Sequence, residues 1–175
     1  GVSDSQRGVH NADGLDINAL LELKEAGKSV AEYSAGTPID GDALIGLDCD
    51  IWIPAARPDV IHEDNVGQLN TRLVIQGPNI PITHGAESIL YRKGIQYVPD
   101  FIANAGGVIC AAMEYHGANE SAALATICDK LTRNTEQVLT LAKREQIEPR
   151  EASMRLALER IRKAMSFRRF SSFST

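Results

Sequence analysis

Four short stretches carry residue types able to do chemistry if the chain brings them together. Pro99-Asp100-Phe101-Ile102-Ala103-Asn104-Ala105-Gly106-Gly107-Val108 places an Asn and two adjacent glycines between an apolar run and a helix-forming run. Gly106 and Gly107 let backbone approach a ligand closely, and a helix starting there offers free N–H groups. Asn79, after Gly77-Pro78, must project its amide from a loop, because Pro blocks strand pairing. That amide has two donors and an acceptor, which suits a ribose or a carboxamide. In Pro54-Ala55-Ala56, the small Ala55 and Ala56 leave room for a ligand against the backbone. The carboxylate of Asp4, in Ser3-Asp4-Ser5, can accept from ribose hydroxyls, and the two serines can meet a phosphate.

Each stretch has an ordinary alternative. Asn104 can cap the helix that follows, Asn79 can bond its own backbone in an Asx turn, and Ser-Asp-Ser is common loop chemistry. Ala-Ala can mean only close helix packing. Local chemistry leaves these alternatives open.

The elements that would position these residues are legible in the pattern. Ile95-Gln96-Tyr97-Val98 reads as a buried strand leading into the glycine stretch, and Ile51-Trp52-Ile53 and Leu73-Val74-Ile75 read as strands covered on both faces. Val2-Ser3 reads as the end of another. Asp16 caps a helix with Ile17, Leu20, Leu21 and Lys24 at helical spacing, residues 59–66 form a short helical segment, and residues 86–93 form a helix stopped by Gly94. Leu124, Ile127, Leu131, Val138 and Leu141 form one stripe, and Ala152, Leu156 and Ile161 form another after Pro149. Alternating strands and helices imply an α/β fold: an incomplete Rossmann-like parallel sheet of about four strands flanked by helices, closed by two long C-terminal helices. Ligands in such sheets sit at the carboxyl ends of the strands.

With 175 residues, 43% hydrophobic, the chain is long enough for one core. A net charge of −5 supplies no basic field for nucleic acid, and no run approaches the roughly 18 apolar residues of a membrane span. The scattered Cys49, Cys110 and Cys128 read as buried free thiols, and His10, His62, His84 and His116 lack metal-ligand spacing. No secretory pattern precedes Ser3, so a cytoplasmic setting is expected. Val2-Ser3, with nothing before it to cover it, reads as a chain that opens in mid-fold. Arg160, Arg162, Lys163, Arg168 and Arg169 gather at a helix end that favours positive charge, and Phe167, Phe170 and Phe173 lie in a Ser-rich tail read as frayed.

Together these stretches resemble the glutamate/leucine/phenylalanine/valine dehydrogenase family. Asn11-Ala12-Asp13-Gly14-Leu15-Asp16 is similar to its Asn-Pro-Asp-Gly-Leu-Asp, and residues 50–56 to its Asp-Ile-x-Ile-Pro-Ala-Ala. Residues 76–83 are similar to Glu-Gly-Ala-Asn-x-Pro-Thr-Thr with Gln76, Pro78 and Ile82 departing, and residues 99–108 to Pro-Asp-x-x-x-Asn-Ala-Gly-Gly-Val. The resemblance implies residues 1–175 as a single partial dinucleotide-binding domain: a sheet portion at 1–115, C-terminal helices at 116–166 and a tail at 167–175. It implies NAD or NADP held by Ser3, Asp4, Ala55, Ala56, Asn79, Asn104, Gly106 and Gly107, oxidative deamination of an L-amino acid to a 2-oxo acid in the complete enzyme, and a homo-oligomer. Where glutamate-specific members carry a Ser for the substrate's side-chain carboxylate, this chain has Ala111, which cannot donate, so an apolar amino acid joins glutamate as a candidate substrate.

No Gly-x-Gly-x-x-Gly occurs, and the substrate domain with its catalytic Lys and Asp is missing. Deamination needs a lysine of lowered pKa, and every lysine here reads as solvated, so the chain alone is expected to be inactive. Alternatives are a non-catalytic nucleotide-binding or subunit-association module on the same scaffold, or an α/β domain for an unrelated small ligand.

Overall fold

The structure, a computed structural model, describes residues 1–167. The expected α/β architecture is present. β4 (Asp48–Trp52), β5 (Asn70–Ile75) and β6 (Gln96–Val98) pair in parallel, in that order across the sheet. Val74 on β5 is in register with Trp52 on one side and Tyr97 on the other. α2 (His84–Arg92) makes the crossover from β5 to β6. Thr83 caps α2 by accepting from the Ala86 N–H at 3.2 Å, and Gly94, at φ +75°, supplies the left-handed turn that ends it. Val74, Leu90, Tyr97, Ile61, Ile82 and Ala86 form the core between sheet and helix.

The Val2–Ser3 stretch (β1) is not a fourth strand of that sheet. It pairs antiparallel with β2 (Gly8–His10), which pairs antiparallel with β3 (Thr37–Ile39). The reason is local: the Asp4 carboxylate accepts from the Gln6 and Arg7 N–H groups at 2.9 and 3.3 Å, which tightens the connection into a hairpin. Closing so short a loop costs little entropy, whereas a parallel partner needs a long crossover. α1 (Ile17–Glu25), capped by Asp16 as expected, covers this small sheet with Leu20 against Val9 and Val30.

Residues 59–66 also depart from the helical expectation. Ile61 forms a parallel bridge to Ile82, and only a single 3₁₀ turn, Val66–Gln68, follows.

α3 (Asp100–Ala103) and α4 (Gly106–Tyr115) follow β6, and the two long helices are α5 (Glu120–Glu145) and α6 (Pro149–Ser166). Val138, Ala142 and Ala152 form the α5–α6 core, joined by Ile102, Leu141 and Leu156. The expected stripes are covered only in part: Leu124 is 59% and Ile161 55% exposed. Met154, Leu158, Ile161 and Met165 lie uncovered along α6. β4 is an outer strand, with Ile51 and Ile53 more than half exposed. The three cysteines are free, but none is buried, and Cys128 is exposed. Among the described residues no helix is long and apolar enough to cross a membrane. The tail residues Arg168, Arg169, Phe170 and Phe173 lie outside the described residues.

Candidate functional site

The parallel register brings three strand tips side by side. The Gly77 N–H donates to the Pro54 carbonyl at 3.2 Å, joining the end of β4 to the end of β5, and the Gln76 N–H donates to the Val98 carbonyl at 3.2 Å, joining β5 to β6. Gly77 is required there: a Cβ on it would stand 2.9 Å from the Pro54 oxygen. Ala55 and Ala56 are exposed on the same edge.

Asn79 and Asn104 meet across this edge. Asn104 Nδ2 donates to Asn79 Oδ1 at 2.9 Å. Asn104 is not the cap of the glycine-rich helix. It ends α3, its N–H bonded to the Asp100 carbonyl at 2.8 Å, while Ala105 precedes α4 without any side-chain cap. The Asn79 oxygen is likewise engaged by Asn104 rather than by its own turn. The pair keeps the Asn79 amino group, the second Asn104 N–H and the Asn104 carbonyl for further partners.

Gly106 and Gly107 occupy the first turn of α4, with Gly107 exposed and open space where its Cβ would be. Their N–H groups precede the first intrahelical bond, from the Ile109 N–H to the Ala105 carbonyl. Ala111 lies exposed on the next turn, its methyl unable to donate.

Ser3 and Asp4 are placed elsewhere, in the hairpin of the antiparallel sheet. The Asp4 carboxylate is occupied by the chain's own donors: besides Gln6 and Arg7, Val30 N–H at 3.0 Å, Ser29 Oγ at 3.2 Å and Lys24 Nζ at 2.9 Å. The bond from Lys24, with the three backbone N–H groups, outweighs partial burial and holds the carboxyl well below the usual carboxylate range. Ser3 is exposed, paired with Gly8 in the hairpin.

Beneath the strand tips lies a polar network that the sequence did not disclose. Arg150, at the second position of α6, donates to Glu87 through Nε at 2.5 Å and Nη2 at 2.7 Å, and to Asp100 Oδ1 through Nη2 at 2.9 Å. Gln76 Nε2 donates to Glu87 Oε1 at 2.6 Å, and Gln76 Oε1 accepts from the Asp100 N–H at 3.3 Å. Asp100 Oδ2 accepts from the Ile80 N–H at 2.9 Å. Burial raises the Asp100 pKa, but the Ile80 N–H and Arg150 together more than offset it and leave it lowered. Gln76 donates where a Glu could not, next to the Glu87 carboxylate. Tyr97 sits alongside, its hydroxyl buried and unpartnered among the described residues, and burial with the nearby Glu87 charge pushes its pKa up. The available signal was Arg150 itself, a cation in the first turn of a helix, where the dipole disfavours it.

An α/β domain that presents the carboxyl ends of three parallel strands at one edge is of the Rossmann-like class. Sequence comparison makes this specific: the chain belongs to the glutamate/leucine/phenylalanine/valine dehydrogenase family, whose model matches residues 1–169.

It is 34% identical to a glutamate dehydrogenase of Aeropyrum pernix, over 95% of this chain and 42% of that protein. It is also 34% identical to an NADP-specific glutamate dehydrogenase of Saccharolobus shibatae, over 96% and 42%. Among solved structures, the leucine-bound hetero-hexameric glutamate dehydrogenase of Thermus thermophilus superposes with a TM-score of 0.80 at 23% identity, covering 95% of this chain and 41% of that one. L-tryptophan dehydrogenase from Nostoc punctiforme gives 0.70 at 24% identity, covering 78% and 41%. At those identities the structural likeness shows the fold alone. The chain spans about 42% of the length of the curated relatives it matches.

Proposed function

We propose that this chain is the later part of the cofactor domain of an NAD(P)-dependent amino-acid dehydrogenase, and that its strand tips receive the nicotinamide half of the dinucleotide. The observation that carries this is the 2.9 Å bond from Asn104 to Asn79 at the mouth of the parallel sheet. It orients both amides and leaves an amino group and a carbonyl facing outward, the complement of a carboxamide. The donor set fits that half of the group. Gly77, Ala55 and Ala56 keep the floor open, and the first turn of α4 adds N–H groups at Gly106 and Gly107. Held by Asn79 and Asn104, a nicotinamide would supply hydride-transfer chemistry toward the α-carbon of an amino acid in the complete enzyme. The residues described here bind and orient it. NAD and NADP are both compatible, and Ala111 favours an apolar side chain while glutamate remains in the substrate class.

Because no pyrophosphate turn occurs in the sequence, affinity for NADH is expected to be weak. Nicotinamide mononucleotide is the direct probe: titrated into the ¹⁵N-labelled chain, it should shift the side-chain amide signals of Asn79 and Asn104 and the backbone signals of Gly106 and Gly107. Shifts confined to other regions, or none at millimolar ligand, would sink the proposal.

A second reading, a subunit-association module, draws on the uncovered Met154, Leu158, Ile161 and Met165 of α6. Sedimentation of the chain alone tests it. A homo-oligomer that dissociates on Leu158→Glu supports that reading, and a monomer at all concentrations rejects it.

A further inference from the structure

We propose that Arg150 is a positioning residue for the Asn79–Asn104 pair, acting through Asp100 on the backbone of Ile80. Its functional consequence rests on the cofactor role proposed above.

Asp100 holds both arms of the site. Its side-chain Oδ2 accepts from Ile80 N–H at 2.9 Å, and its main-chain carbonyl accepts from Asn104 N–H at 2.8 Å. Ile80 has φ +50°, a conformation that a β-branched residue adopts only under an external hold. The Asp100 carboxylate is such a hold, immediately next to the Asn79 that receives the Asn104 amide. Asp100 is itself oriented by Arg150, whose Nη2 occupies the other oxygen at 2.9 Å.

Two observations set Arg150 apart from a generic ion pair. It stands in the first turn of α6, where helix electrostatics oppose a cation, so the helix does not account for it. It also spans three elements at once, with Glu87 on α2 and Gln76 at the end of β5, a geometry that a planar fork provides and an ammonium does not. Its guanidinium also lies 5.5 Å from the Phe101 ring centroid, which keeps it over α3.

The test compares amide hydrogen exchange in the full chain for Arg150→Lys, for Asp100→Asn and for Leu90→Ala as a packing control. Arg150→Lys keeps the charge and loses the fork. It is expected to speed Ile80 exchange about tenfold relative to Val74 and to weaken nicotinamide mononucleotide binding about tenfold, the effect of losing one well-placed hydrogen bond. Asp100→Asn, which supplies the same measurement should the lysine variant not fold, is expected to raise the same ratio. Leu90→Ala lowers overall stability without raising it. An unchanged ratio in the folded Arg150 or Asp100 variant, or an equal rise in Leu90→Ala, overturns the proposal. A parent chain that ignores the mononucleotide overturns the cofactor role instead, and the exchange ratio still decides the positioning.

Discussion

Asp4 and Asp100 are two poorly exposed carboxylates, 12% and 9% accessible, that each bind a cation and backbone N–H, yet they organise the chain in opposite ways. Asp4 collects its donors from residues 6 to 30, all in the antiparallel sheet and the segments that cover it. Asp100 reaches back 20 residues to Ile80 and forward 50 to Arg150. One carboxylate joins the β1–β2 turn to α1 and the segment after it, and the other ties the ends of β5 and β6 to α6. A carboxylate whose partners all belong to one small sheet and its cover, as Lys24, Ser29 and Val30 do for Asp4, stabilises that unit. One whose partners belong to separate elements sets their relative placement, and here those elements carry Asn79 and Asn104.

The sharpest way to break this contrast is Arg150→Met. It leaves Glu87, 1% exposed, without its counter-charge, and the expected loss is about 3–5 kcal/mol in the urea-unfolding free energy. A loss no greater than that of an Asp4 variant would erase the distinction. Asp4→Ala is expected to cost less, about 1–2 kcal/mol, and to raise hydrogen exchange in β1 and β2 while β5 is untouched.

Both carboxylates have folded pKa values below their unfolded ones, so the unfolded chain binds more protons in acid. Their stabilisation is present above roughly pH 4 and is lost as pH falls below it. Unfolding free energy measured from pH 6 downward should therefore fall less steeply in Asp4→Ala than in the parent. Asn79→Ala is expected to change stability by only about 0.5 kcal/mol, since the residue is exposed, while abolishing the mononucleotide-induced shift at Asn104. The smallest effect is expected for Tyr97→Phe. Removing a buried hydroxyl that has no partner among the described residues should leave thermal unfolding neutral or stabilised by less than about 0.5 kcal/mol.

Pattern and strand order, rather than distance along the chain, decide what the sequence disclosed. The Asp16 cap, the Gly94 stop and the two long helices depend on neighbours within a few residues, and the parallel strands on the alternation of strand and helix along the chain, and the structure has them. The shared position of Ala56, Asn79 and Asn104 at one edge followed from the strand order, because parallel strands must present their carboxyl ends together. The antiparallel pairing of Val2–Ser3 was missed because it turns on which backbone N–H groups the Asp4 side chain reaches. Whether the α5–α6 stripes are covered depends on neighbours that periodicity cannot name, hence the exposed Leu124 and Ile161. The Arg150 network joins residues 50 to 74 positions apart, a range at which no local pattern operates.

The outer flank of β4, unpaired among the described residues, has a practical consequence. Its outward row of backbone donors and acceptors, beside Ile51 and Ile53, is a ready template for a strand from another molecule. Concentrating the isolated chain invites lateral accretion along that flank, and a lysine at position 51 or 53 is the simplest way to keep it dispersed.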